Sequence, residues 1–279
     1  MNLFNTIKNN NYLNNIIYIN IMVFIMINFY YVLIFLFKTE TKLIFYLGLS
    51  ANLDLLLQKP WSILTYMFVH EDLLHLIINL CWLYFGGKIF INYLNSRDLL
   101  STYIMGGLSG AAIYMLSFNI FPVFEVVKMN SLAIGASASV LAVLFASATH
   151  TPNFPINIFF SKSIKLKHIA MLAIIIDILS IPEGNSGGHI AHIGGGLYGF
   201  LYVYLKKYNI NSNYLIDNIL FFLKRRNNQF VYSKKENDYE YNYRKKNEQK
   251  RIDSILDKVS QSGYDSLSKE EKDTLFNQK

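Results

Sequence analysis

Six apolar segments constrain this chain more than any other feature of its sequence. They span residues 16–37, 73–90, 99–121, 132–149, 169–181 and 190–205. A helix crosses a bilayer with roughly 20 apolar residues, and slightly shorter segments suffice where the bilayer is thin. Because 52% of the residues are also hydrophobic, an ordinary soluble domain is excluded. We therefore predict an all-α polytopic membrane protein with six transmembrane helices.

The remaining regions are short. We expect an N-terminus at 1–15, a six-span core at 16–207, a charged linker at 208–247, and a helical hairpin at 248–279. The linker begins with a segment that reads equally well as an interfacial amphipathic helix or a simple connector. In the hairpin, Gly263 should end one helix, and Ser268 with Glu271 forms the capping box of the next.

Basic residues predict the orientation of the core. The short connections carry eight Lys or Arg on the side of the two termini and four on the other side. Since such residues accumulate on the cytoplasmic side, we expect both termini in the cytoplasm. The single cysteine, Cys81, excludes an intrachain disulfide.

Polar side chains within the apolar segments are costly and point to function. In "HEDLLHLIINL", His75 and Asn79 share a helix face, while His70 belongs to the preceding loop. In "GASAS", Ser137 and Ser139 are two residues apart and so project from opposite faces. Taken singly, each pattern is also typical of ordinary helix packing.

The segment "GGHIAHIGGGLYGF" combines two histidines with glycines. His192 is followed on the same face by Gly195 and Gly199, a smooth strip that permits close helix contact. His189, at the loop edge, is expected to be a solvated or capping histidine. Asp177 is the acid of the fifth segment, and two roles are open to it: a third member of a catalytic triad, or a structural or loop-anchoring residue. Because it lies near the outer end of the segment, we assign it the structural role and leave it out of the catalytic set.

Topology brings these residues to one depth. The second, fourth and sixth spans all run inward from the outer face, and His75, Ser137 and His192 each lie three or four residues into their span. At 1.5 Å per residue, each lies roughly 5 Å below the outer end. A serine, a base and further side-chain donors at one level match the requirements of acyl transfer.

Together these motifs resemble the rhomboid family of intramembrane serine proteases. The resemblance rests on "HxxxxHxxxN", on Gly135-x-Ser137, and on "AHxGGxxxG" in successive even-numbered spans. It implies a six-transmembrane-helix rhomboid fold and a dyad in which Ser137 attacks and His192 is the base. His75, Asn79 and the Ser137 N–H would form the oxyanion hole. The C-terminal hairpin resembles a cytoplasmic extension of some bacterial rhomboids.

The resemblance also implies partners and a location. We expect single-span membrane proteins as substrates, a multi-pass position in a cell (inner) membrane, and no metal, cofactor or nucleic acid; no histidine has a convincing metal-ligand partner. Ala138 replaces the glycine that often follows the family's serine, and Ser62 replaces the arginine that often follows Trp61. The alternatives are an inactive rhomboid-like protein that binds clients, and a transporter with a proton path through His75, His192 and Asp177.

Overall fold

Six long helices form at the six predicted apolar segments. The computed structural model describes residues 12–39, 42–158, 162–210, 214, 218, 238–263, 266–268 and 270–272. The long helices are α1 (Tyr12–Phe37), α2 (Leu73–Tyr93), α3 (Ser96–Ile120), α4 (Ser137–His150), α5 (Leu166–Ser180) and α6 (Ser186–Lys206). The prediction of an all-α architecture is confirmed.

Three of the six helices, α1, α2 and α3, are long and apolar enough by themselves to cross a membrane. Helix α4 is apolar but has only 14 residues. The number of six spans therefore stays a prediction, although the protein is a multi-pass membrane protein.

Shorter elements connect these helices. Short α-helices of one or two turns lie at Ile44–Leu47, Leu53–Gln58 and Ser62–Thr65. Single 3-10 turns lie at Tyr66–Phe68, Pro122–Phe124 and Ile181–Glu183. The strands are β1 (Leu49–Ser50), β2 (Leu132–Ala133), β3 (Pro155–Ile158) and β4 (Lys162–Lys165). They form two antiparallel pairs, β1 with β2 and β3 with β4.

The helix starts follow from polar capping residues. The side chain of Asp72 accepts from the His75 N–H at the start of α2, and Asn95 does the same for Asp98 at the start of α3. Such caps satisfy N–H groups that have no partner within the helix. Asn185 caps α6 in the left-handed region, with φ +48°.

Several predicted boundaries differ from the structure, and two of these differences lie beside the residues predicted to do chemistry. The fourth span was expected from residue 132, but β2 occupies the first two positions and α4 begins at Ser137. A short apolar run does not distinguish a buried strand from the start of a helix. The sixth helix begins four residues earlier than expected, because the last part of "PEGNSGG" forms its first turn.

Helix α4 is the centre of the bundle and is buried on nearly every side. Helix α6 lies directly against it, since a Cβ at Gly195 would stand 2.0 Å from the Ala138 carbonyl oxygen, and one at Gly199 would stand 2.1 Å from that of Ala142. On another side, the methyl of Ala138 fills the space that a side chain at Gly110 of α3 would need. Small residues allow this backbone-to-backbone packing.

Buried tyrosines fasten the segment before α2 to the bundle. The hydroxyl of Tyr66 donates to the Gly107 carbonyl at 2.6 Å, and that of Tyr103 donates to the Met67 carbonyl at 3.0 Å. The Gly135 N–H in turn donates to the Tyr66 carbonyl at 2.9 Å. The turn at Tyr66–Phe68 therefore holds the loop that leads into α4.

The opposite end of the bundle carries an ion pair. Lys206 at the end of α6 pairs with Asp98 at the start of α3, and the Tyr202 hydroxyl donates to the same carboxylate at 2.8 Å. These contacts join the two helices far from the residues predicted to do chemistry.

The C-terminal unit, Leu223–Lys279, contains helix α7 (Asp238–Ser262). The helix begins ten residues before the hairpin predicted at 248–279. Gly263 follows at φ +76°. The capping box is present: the Ser268 N–H donates to Glu271 at 2.7 Å, and the Glu271 N–H donates to the Ser268 hydroxyl at 3.3 Å. The predicted amphipathic segment lies almost entirely outside the described residues, as does 1–11.

Candidate active site

Ser137 and His192 lie in hydrogen-bond contact although 55 residues separate them in the chain. The distance from Ser137 Oγ to His192 Nε2 is 2.6 Å. Their helices are held together by the glycine contacts of α6 with α4, which bring the two side chains within reach. A hydroxyl hydrogen-bonded to an unprotonated imidazole nitrogen is the arrangement that activates a serine nucleophile.

Ser137 is the first residue of α4. The first N–H groups of a helix have no partner within it and carry the positive end of its dipole. An anion that develops beside Ser137 would therefore be stabilised. With 14 residues at about 1.5 Å each, α4 is about 21 Å long, which is shorter than the hydrocarbon core of about 30 Å.

The prediction that His75, Ser137 and His192 lie equally far into their spans is wrong, although the side chains of Ser137 and His192 are in contact. His75 is the third residue of α2, Ser137 the first of α4 and His192 the seventh of α6. Equal counts fail because capping residues and strands, rather than the first apolar residue, determine where each helix begins. The three-dimensional packing, rather than equal counting, brings Ser137 and His192 together.

Gly135 lies between His75 and the serine. Its φ is +113°, and a Cβ there would stand 2.8 Å from His75 Nε2 and 3.7 Å from Ser137 Oγ. This backbone conformation and this close approach both require glycine. The structure therefore places the His75 ring beside the loop that carries the serine.

His70 also contacts the loop that carries the serine. It is 1% exposed, and its Nε2 accepts from the Ala136 N–H at 3.4 Å. Its ring stands at 72° to that of His75, with the centroids 5.1 Å apart. Burial, together with the nearby His75, lowers the pKa of His70 to about 4, so the imidazole is neutral at physiological pH.

Asn79 and Ser139 have partners of their own. The Asn79 amide donates to the His75 carbonyl at 2.9 Å, one turn earlier on α2, which uses one of its two N–H bonds within the helix. Ser139 is fully buried, and its hydroxyl lies 3.8 Å from the Met67 sulfur. Ser139 therefore packs inside the bundle, away from His192.

Asp177 is the residue that sequence reasoning left out. Its Oδ1 lies 2.8 Å from Nδ1 of His192 and 2.8 Å from Nδ1 of His189. The expectation that His189 is a solvated or capping residue is thus wrong, since it shares a buried carboxylate with His192. The available signal was that Asp177 is the one acid within an apolar segment, a position that marks function by default.

The same cluster corrects the expectation that no histidine has a metal-ligand partner. The ligand atoms of Asp177, His189 and His192 all lie within 4.8 Å of one another. Two imidazoles and a carboxylate are donors that suit zinc. In the described structure, however, both Nδ1 atoms are directed to one carboxylate oxygen at hydrogen-bond distance.

Comparisons with known proteins identify two regions of the chain. A rhomboid domain model matches residues 57–209, and a family model of unknown function matches residues 235–277. The chain is 29% identical over 164 residues to Rhomboid-related protein 1 of Caenorhabditis elegans, which covers 54% of this chain and 41% of that protein.

Two further relatives are organellar by name. RHOMBOID-like protein 12, mitochondrial, of Arabidopsis thaliana is 27% identical over 143 residues, covering 48% of this chain and 43% of that protein. Presenilin-associated rhomboid-like protein A, mitochondrial, of Danio rerio is 27% identical over 144 residues, covering 49% and 35%. The match spans less than half the length of each relative. The rhomboid domain model matches more than half of this chain, and the chain therefore belongs to the rhomboid family.

Proposed function

We propose that this protein is an intramembrane serine endopeptidase that cleaves transmembrane segments of single-span membrane proteins. The observation that carries the proposal is the 2.6 Å contact between Ser137 Oγ and His192 Nε2 at the start of a helix. Membership of the rhomboid family, which includes serine proteases, supports it.

The reaction follows from the two side chains. As Ser137 Oγ attacks the scissile carbonyl carbon, its proton passes to His192 Nε2. When the C–N bond breaks, His192 gives this proton to the leaving amine. Water then attacks the carbonyl carbon of the acyl-serine while His192 accepts its proton. His192 returns this proton to Ser137 Oγ as the ester C–O bond breaks and the carboxylic acid product leaves. Neither a metal nor an organic cofactor is needed for any of these steps.

Stabilisation of the oxyanion, the negative charge on the attacked carbonyl oxygen, is assigned to groups around Ser137. The Ser137 N–H is the first of its helix, and the His75 ring lies beside Gly135. The second N–H of the Asn79 amide is a further candidate donor. Each such donor contributes about 3 kcal/mol to the transition state when it meets the developing charge.

The substrate is inferred from the position of the site. A scissile amide within a helix is hydrogen-bonded, so the segment must unwind before Ser137 can attack. We expect small residues at the cut and helix-weakening residues nearby. Helix α5 is a candidate lateral gate, because Leu166, Ala170 and Asp177 are its buried residues and its other side chains are more accessible.

The location is proposed from charge. Both termini are expected in the cytoplasm and the protein in a cell (inner) membrane, with cleavage near the outer surface. A reporter fused after Lys279 checks this assignment. An external signal from the reporter would reverse the orientation.

The test of the activity is labelling of the purified protein in detergent with a fluorophosphonate, which reacts with activated serines. We expect labelling of the wild type and of Ser139→Ala, and none of Ser137→Ala or His192→Ala. Labelling that persists in Ser137→Ala would refute the assignment of the nucleophile. Ser139→Ala is a matched control, since the two serines are two residues apart on one helix.

The second candidate function is that of an inactive rhomboid-like protein that binds clients. It predicts no labelling of the wild type and no cleavage of a panel of model transmembrane substrates. A well-folded protein that behaves in this way would be a client-binding protein.

A further inference from the structure

We propose that Asp177 is a positioning residue for His192, and that His189 holds its carboxylate in place. The two histidines and the aspartate would then extend the Ser137–His192 pair into a chain of four side chains. This inference rests on the proposed protease function. It goes beyond the dyad because it assigns a role to a buried acid and to a histidine that the dyad does not use.

The first step is the tautomer of His192. An ionised carboxylate only accepts hydrogen bonds, so each imidazole Nδ1 at 2.8 Å from Asp177 Oδ1 must carry a hydrogen. A neutral imidazole has one N–H and one bare nitrogen. His192 therefore presents its bare Nε2 to the Ser137 hydroxyl, which is the form that accepts a proton.

The second step is the role of His189. Its Nδ1–H donates to the same oxygen as that of His192, and the two rings stand at 82° with their centroids 5.9 Å apart. A second donor favours the ionised carboxylate and fixes its rotamer. The aspartate thus approaches His192 from one direction.

The third step explains why the side chain at this position is an acid rather than an apolar group. Asp177 is 6% exposed on a helix whose other buried residues are Leu166 and Ala170. If the contact only anchored α5 to α6, an apolar side chain would do so without the cost of burying a carboxylate. The acid instead faces the two imidazoles, where its charge has partners.

The chemical consequence appears when the proton moves. As Ser137 attacks, His192 takes the proton on Nε2 and becomes an imidazolium. Asp177 stays ionised and stabilises this positive charge through the Nδ1–H bond, and His192 then returns the proton to the leaving amine. An adjacent carboxylate plays this part in serine hydrolases of other folds.

The deciding experiment uses Asp177→Asn in the full-length protein. Asparagine keeps the volume but can donate an N–H to His192 Nδ1, which favours the tautomer with hydrogen on Nε2. We expect the fluorophosphonate labelling rate to fall about 100-fold, since correct general-base function contributes about 100-fold or more. Asp177→Glu should retain more of the rate, because it remains an acceptor.

A spectroscopic readout separates positioning from folding. In protein labelled with ¹⁵N-histidine, the ring nitrogens of His192, identified by their loss in His192→Ala, should show a bare Nε2 in the wild type. In Asp177→Asn the bare nitrogen should become Nδ1. An unchanged tautomer together with a wild-type labelling rate would overturn the proposal.

Controls distinguish the remaining outcomes. Asp98→Asn removes an acid at the start of α3 that pairs with Lys206 at the end of the bundle away from Ser137, and we expect a wild-type labelling rate. Wild type treated with EDTA should also keep its rate; loss that zinc restores would assign the cluster to a metal site and overturn the proposal. If the folded wild type itself is not labelled, the proposed protease function is refuted. If the wild type is labelled and Asp177→Asn is labelled at the same rate, only the proposed role of Asp177 is refuted.

Discussion

Gly195 of α6 lies directly on the backbone of Ala138 in α4. A Cβ at Gly195 would stand 2.0 Å from the Ala138 carbonyl oxygen, a distance that no side-chain rotation relieves. Since Ala138 follows Ser137 and Gly195 lies less than one turn from His192, this contact determines how closely the serine and the base approach. The geometry of the Ser137–His192 pair therefore depends on a packing contact between two backbones.

Gly195→Ala is expected to separate the two helices. Overpacking against a rigid backbone costs about 3 kcal/mol or more, and the Ser137–His192 contact should lengthen. We predict a lower thermal stability in detergent and loss of fluorophosphonate labelling. Gly196→Ala is the matched control, because the atoms nearest to its Cβ would be those of the Phe145 ring, at 3.4 Å and beyond. Equal effects of the two variants would contradict the packing argument.

Gly135→Ala should damage the site with little effect on the rest of the bundle. The new Cβ would stand 2.8 Å from His75 Nε2, and φ +113° is strained for alanine. We expect the labelling rate to fall about 10-fold or more for a strain of about 1–3 kcal/mol. The melting temperature should fall by less than that of Gly195→Ala, and a normal labelling rate would show that the His75 ring has room to move.

Ala138→Gly tests whether the unusual alanine obstructs the chemistry. Its methyl faces Gly110 of α3, so its removal leaves the serine and the base in place. The loss of a buried methyl group together with a helical glycine should cost about 2 kcal/mol of stability. The labelling rate, corrected for the folded fraction, should stay near that of the wild type; a large increase would mean that the alanine crowds the site.

His70 predicts a dependence of stability on pH. Burial is the main cause that lowers its pKa to about 4, with His75 acting in the same direction, while the Phe68 carbonyl and Asp72 oppose them. Because the unfolded chain has a normal histidine pKa, it binds a proton that the folded protein excludes between about pH 6.5 and pH 4. The folded state should therefore lose stability as the pH falls through this interval.

Melting temperatures of the wild type and His70→Gln, compared across the same pH range, check this prediction. Glutamine does not titrate, so the melting temperature of the variant should depend less on pH. Parallel curves for the two proteins would show that His70 does not carry the effect. Histidines that do not contact His70 contribute equally to both curves and cancel in the difference.

Hydrophobic patterning determined much of the architecture. The apolar segments predicted where the six helices form, because the length and hydropathy of a segment are local properties. The spacing of Gly195 and Gly199 likewise predicted a smooth face, and Ser268 with Glu271 predicted a capping box that the structure contains. These features depend on residues within one or two turns of each other.

Only the tertiary structure decided how the site is assembled. The pairing of β2 with β1 shortens α4 so that Ser137 begins it, and no local pattern reveals a partner strand over 80 residues away. Asp177 reaches His189 and His192 because a turn at Ile181–Glu183 folds α5 back onto α6. Sequence alone revealed a buried acid and two histidines; their hydrogen bonds depend on the angle and depth at which these two helices pack.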